Sequence, residues 1–197
     1  MDGGNLLQLK RPPTNWLLDP RLRTGGQAGA ELYLRNALDR GHLVRRTNVQ
    51  WGDEDAAQQA GEDVHHYTNA TPQIKEFNQR TWLQLEDGLL RFLEDAGLKA
   101  SIFSGPVVRD DDPVYRRVKI PLSYWKILVV DIDGEARAVG YVLNQSIEVD
   151  GDEVAGSADG FDIINSQVSI RQIEVLTGLD FGAVKNLDYL DFSAIGD

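Results

Sequence analysis

A chain of 197 residues, 42% hydrophobic and 26% charged, can bury a substantial core and is too apolar for disorder. Its formal net charge of −11 argues against an extended electrostatic track for a polyanion, and the absence of Cys excludes disulfides and thiolate metal ligands. No apolar run approaches the roughly 18 residues of a membrane span, and "MDGGNLLQLKRPPTNW" lacks the basic and apolar regions of a signal peptide. A cytoplasmic protein without a membrane partner is the expectation, with secretion the alternative if a leader lies upstream.

In chain order, "NLLQL" reads as a short strand broken by "RPPTNW". "HLVRRTNVQW" has an extended pattern, with Leu43, Arg45, Thr47 and Val49 on one face. The acidic stretches "WGDEDAAQQAGED", "RDDDP" and "VDGDEVAGSADGFD" read as solvated loops and faces. The clearest helix runs from about Ile74 to Ala96, entered at Pro72 and stopped at Gly97. Phe77, Leu85, Leu89, Phe92 and Leu93 form its apolar face. Strands are expected in "KASIFSG", "RRVKIP", "YWKILVVDI" and "ARAVGYVLNQ", the third being the core strand through Val129, Val130 and Ile132. A short helix in "SIRQIEVLTG" ends at Gly178. With no repeat or linker, the pattern is one α+β domain over residues 1–197, mostly antiparallel with one dominant helix.

The chemistry concentrates in "LDRGHLVRRTNVQWG", where Arg40, Arg45 and Arg46 surround His42. Neutral imidazole can take a proton from water near neutral pH, and the Arg40 guanidinium is a planar fork suited to phosphate. Strand alternation puts Arg40 and His42 on one face. Screening beyond about 8 Å lets such a cluster hold a phosphate on an acidic chain. Asn69 reads equally as a cap or turn residue and as a site residue, whereas Asn78 lies inside the first helical turns, where capping explains it less well. An amide oxygen is a hard neutral ligand suited to Mg²⁺. Glu86 lies about 80° around the helix from Asn78 and roughly 12 Å along it, so both cannot ligate one ion directly. His65 and His66 point to opposite faces if extended and read as structural, and Trp51, Trp82, Tyr124 and Trp125 read as buried packing before base stacking.

"DRGHLVRRTNVQWG", "YTNATPQ" and "FNQRTWLQLE", followed by "IFSGPVV", "VKIPLSYWKILVV" and "IEVLTGLDFG", resemble the DNA/RNA non-specific endonucleases of the ββα-metal superfamily, from about Asp2 to Phe192. The resemblance implies that His42 is the general base and that Asn78 is the one direct protein ligand of a divalent metal. It also implies that Glu86 acts through metal-bound water, that Asn69 helps arrange the site, and that Arg40 stabilises the phosphorane, with Asp39 supporting its loop. Arg45 and Arg46 are expected to contact the substrate backbone. The implied cofactor is Mg²⁺, with Mn²⁺ as substitute, and the substrates are DNA and RNA, cut to 5′-phosphate ends. A homodimer is one expected assembly. The N-terminal strand region is expected to be incomplete, with Arg11, Arg21 and Arg23 as candidates for an arginine that relatives supply upstream. Two other readings stand beside this one: a degenerate member that binds nucleic acid or protein without cutting, and a phosphodiesterase for small nucleotides.

Overall fold

The computed structural model describes residues 1–10, 15–23 and 25–190. Strand β1 (Leu38–His42) leads through a 3-10 turn over Arg46–Val49 into helix α1 (Glu54–Asp63). The chain then returns in β2 (Ala70–Ile74), antiparallel to β1, with Arg40 opposite Pro72 and His42 opposite Ala70. Next comes a π-helix over Phe77–Trp82, continued as α2 (Leu83–Asp95). The remaining strands are β3 (Ala100–Val107), β4 (Val114–Tyr115), β5 (Val118–Lys119), β6 (Ser123–Ile132), β7 (Glu135–Asp150), β8 (Glu153–Ala158) and β9 (Gln167–Val168), followed by α3 (Ile170–Thr177).

The main sheet has the order β3-β6-β7-β8, with β9 also on β7, and every pairing is antiparallel. Alternation along β6 sends Tyr124, Leu128 and Val130 toward α2, where they meet Phe77, Trp82, Leu85, Leu89 and Leu93. Trp125 and Ile127 face the other way, onto Ile170 and Ile173 of α3. A strand covered on both faces needs apolar residues at nearly every position, which makes Lys126, on the α2 side, the exception. Burial of each large apolar side chain in these layers contributes about 1.5–3 kcal/mol. No helix among the described residues is long and apolar enough to cross a membrane.

Several expectations change. The extended run foreseen through Val49 stops at His42, because the β2 ladder ends opposite it and Asn69 takes the backbone of Val44 instead. Pro72 opens no helix; it sits in β2, tolerated because a two-stranded ribbon leaves one edge of each strand without a ladder partner. "GDEDAAQQAGED" forms α1, capped by Asp53 at Ala56 N and carrying Glu54 and Asp55 in its first turn, where the helix dipole favours them. Part of the third acidic stretch is strand β8, reached through a turn at Gly151 (φ +58°). "RRVKIP" yields only β5, since Arg116 and Arg117 take positive φ in a tight hairpin with β4. Phe92 is 44% exposed and Ile132 41%. The first lies one residue off the Leu85–Leu89–Leu93 seam, and the second closes β6 beside the Asp133–Gly134 turn. The two helix stops at Gly97 and Gly178 hold, both with positive φ.

Candidate active site

A cleft of about 560 Å³ opens where the β1–β2 ribbon meets the start of the long helix. Asp39, Arg40 and His42 line it from β1, Arg45, Arg46 and Thr47 from the following turn, and Asn78, Gln79, Leu83 and Glu86 from the helix. Three arginines against two carboxylates make its lining net basic, the reverse of the chain as a whole.

Gly41 is required by a close approach rather than by a turn: a Cβ there would lie 2.0 Å from Oε1 of Gln73. Arg40 is held by aromatic faces, its guanidinium carbon 5.1 Å from the Tyr33 ring centre and 5.7 Å from that of Tyr67. Trp16 packs on the His42 ring with centroids 4.8 Å apart, and His65 meets it edge-on at 4.9 Å. The His65 ring is set in turn by Nδ1, which donates to the Gly61 carbonyl at 3.0 Å. Of the two adjacent histidines, His65 is buried and His66 is half-buried, bonded through Nδ1 to the Asp63 carbonyl.

Asn78 Nδ2 donates to Asp39 Oδ2 at 2.9 Å, and Gln79 Nε2 donates to the same oxygen at 2.8 Å. A carboxylate only accepts, so the Asn78 end facing it must be the NH₂, which leaves the carbonyl oxygen for the cleft. The π-helix corrects the expected phase. Bonding of i to i+5 advances each residue by roughly 82° instead of 100°, and the five steps from Asn78 to Leu83 remove roughly 90° of rotation. The 80° offset between Asn78 and Glu86 is thereby cancelled, and both line one cleft.

Glu86, 8% exposed, is gripped from two sides. Lys126 Nζ lies 3.3 Å from its Oε1, and Arg45 Nε lies 4.0 Å from its Oε2. Arg45 also bonds Asp87 Oδ1 at 2.6 Å. Burial pushes the Lys126 ammonium below its ordinary value, and the neighbouring Glu86 carboxylate pulls it back up. Lys126 was missed in the sequence, yet its signal is there: a lone cation inside "YWKILVV". Trp16 was missed too, and its short flanking segment carries no comparable signal.

Asn69 lies outside the cleft. Its Oδ1 accepts from Val44 N and its Nδ2 donates to the carbonyls of Val44 and Val64, so it ties down the turn that follows His42. Arg46 reaches the Leu9 carbonyl at 3.4 Å. Of the upstream arginines, Arg11 lies outside the described residues, Arg21 is paired with Asp19 away from the cleft, and Arg23 is exposed. Trp82, Tyr124 and Trp125 are buried as expected, whereas Trp51 is 41% exposed.

No group of three or more His, Cys, Asp or Glu side chains suited to a metal occurs among the described residues. The donors present still fit a hard divalent cation that keeps its water: one neutral amide oxygen at Asn78, a carboxylate at Glu86, and a polar cleft with room for several waters at about 30 Å³ each.

The antiparallel ribbon and the helix that together carry this cleft define a ββα-metal nuclease fold. The sequence model of the DNA/RNA non-specific endonuclease family matches residues 2–187, and the chain belongs to that family. Protein y4fB of Sinorhizobium fredii is 39% identical over 154 residues, 74% of this chain and 23% of that protein. A protein of Nostoc sp. named "Nuclease" is 29% identical over 159 residues, 76% of this chain and 52% of that one. The chain thus spans about a quarter and about half of the length of these two relatives. A chain from the crystal structure of the EndoG/EndoGI complex shares the fold, with a TM-score of 0.66 at 19% identity, covering 86% of this chain and 69% of that chain.

Proposed function

We propose that this chain is a divalent-metal-dependent endonuclease that hydrolyses phosphodiester bonds of DNA and RNA with little sequence preference, leaving 5′-phosphate ends. The observation that carries the proposal is the convergence of His42, Arg40, Asn78 and Glu86 on one cleft. His42 takes the proton of the attacking water. Arg40, held against Tyr33 and Tyr67, donates to the phosphate oxygens as charge gathers on them. Asn78 would hold the ion through Oδ1 and Glu86 through intervening water. Mg²⁺, or Mn²⁺ in its place, supplies Lewis-acid stabilisation when bound. Arg45 and Arg46, which line the same cleft, contact flanking phosphates.

The test is plasmid nicking with Mg²⁺, with an EDTA control and His42→Ala. Cutting is expected with Mg²⁺ alone, and His42→Ala should lose about 10²–10⁴-fold in rate. Equal cutting by the variant would remove His42 from the mechanism. Absence of cutting by the wild type, with retained binding, would favour a degenerate family member.

A further inference from the structure

Lys126 approaches the cleft from behind. It is 1% exposed, with Nζ 3.3 Å from Glu86 Oε1, 2.9 Å from Ser104 Oγ and 4.8 Å from the Trp82 ring centre. Lysine is almost never fully buried unless paired, and an apolar side chain of its length would fill the same space without the desolvation cost. β6 supplies apolar residues at its neighbouring α2-facing positions, Tyr124 and Leu128. The two oxygens of Glu86 are also held unequally: Oε1 by a buried ammonium, Oε2 by Arg45 at 4.0 Å on the cleft side.

We propose that Lys126 is a positioning residue that pins Glu86 Oε1 from the core, so that Oε2 faces the cleft in one rotamer and orders the water shell of the divalent ion. Lys126 touches neither ion nor substrate, and it acts only through Glu86. The inference rests on the metal-dependent reading above.

The experiment is a double-mutant cycle on the full chain with Lys126→Met, Glu86→Gln and both together. Free Mn²⁺ is followed by electron paramagnetic resonance, with melting temperature and plasmid nicking alongside. Lys126→Met is expected to weaken Mn²⁺ binding about tenfold or more, as loss of an outer partner does. The double variant should bind Mn²⁺ like Glu86→Gln alone, because the two residues form one unit, and should melt above Lys126→Met. Wild-type affinity in Lys126→Met, or losses that add in the double variant, would overturn the proposal. Should Lys126→Met not fold, Lys126→Gln, which keeps an N–H donor without the charge on a side chain one bond shorter, takes its place in the cycle, with a smaller loss expected. A wild type that binds Mn²⁺ but cuts nothing refutes the nuclease reading, and the binding cycle still decides the role of Lys126. A wild type that binds no Mn²⁺ refutes both.

Discussion

The side chain of Gln73 lies so close over Gly41 that a Cβ would meet its Oε1 at 2.0 Å and its Cδ at 2.3 Å. Gln73 is wholly buried, across the ribbon from Asp39, so it has little room to withdraw. Gly41→Ala should therefore cost about 1–3 kcal/mol by overpacking and shift both Arg40 and His42. Urea unfolding measures the loss, and Gln73→Ala in the same chain should recover part of it. A Gly41→Ala variant as stable as wild type would count against a forced glycine.

Asn69 makes three hydrogen bonds to backbone groups of Val44 and Val64. Asn69→Ala should lose about 2 kcal/mol of unfolding free energy, at roughly 0.5–1.5 kcal/mol per bond with partial replacement by water. Amide hydrogen exchange at Val44 should accelerate. Unchanged exchange there would show that the turn holds without the side chain.

Asp39 sets which end of the Asn78 amide faces the cleft. Asp39→Ala frees that amide, and Mn²⁺ affinity should fall about 10–100-fold, the usual effect of losing an outer partner. The fold should be retained, because Asp39 is only partly buried. Full Mn²⁺ affinity in this variant would mean that Asn78 orients itself.

Asp19 is 3% exposed and accepts from Arg21 through Nε, Nη2 and the backbone N, and from Thr68 Oγ1. The Arg21 guanidinium, first among these partners, holds the carboxyl well below the usual carboxylate range. A carboxyl depressed in the folded state stabilises the fold above its unfolded pKa and loses that contribution as pH falls. Asp19→Asn should thus lower the melting temperature at pH 7, with a gap from wild type that narrows progressively below about pH 4. An equal gap at pH 2 and pH 7 would contradict this.

Much of the site was legible in residue types at fixed spacing. "DRGH" reaches the cleft because it lies on a regular strand whose alternation carries over to space, whereas Asn78 and Glu86 share the cleft through the π-helix that lies between β2 and α2. The helical phase was not legible. A π-helix differs from an α-helix by one residue per turn, and no side chain over Phe77–Trp82 announces it. Tertiary contacts were hidden for the same kind of reason. Trp16 reaches His42 from a segment with no periodicity, and the turn after His42 follows from one side chain, Asn69, bonding both backbone groups of Val44. In β6 the burial pattern was legible, and Lys126 broke it in plain view.

The ring contacts of Trp16 and His65 on His42, and the reach of Lys126 to Glu86, have a consequence for protein engineering. The stretch from β1 to the end of α2 looks like a portable cassette, but two of its key side chains are braced by Trp16 and Lys126, which lie outside that stretch. Grafted alone onto another scaffold, it would carry every residue of the signature and lack the walls against which His42 and Glu86 rest. A transplant therefore has to bring counterparts of Trp16 and Lys126 with it.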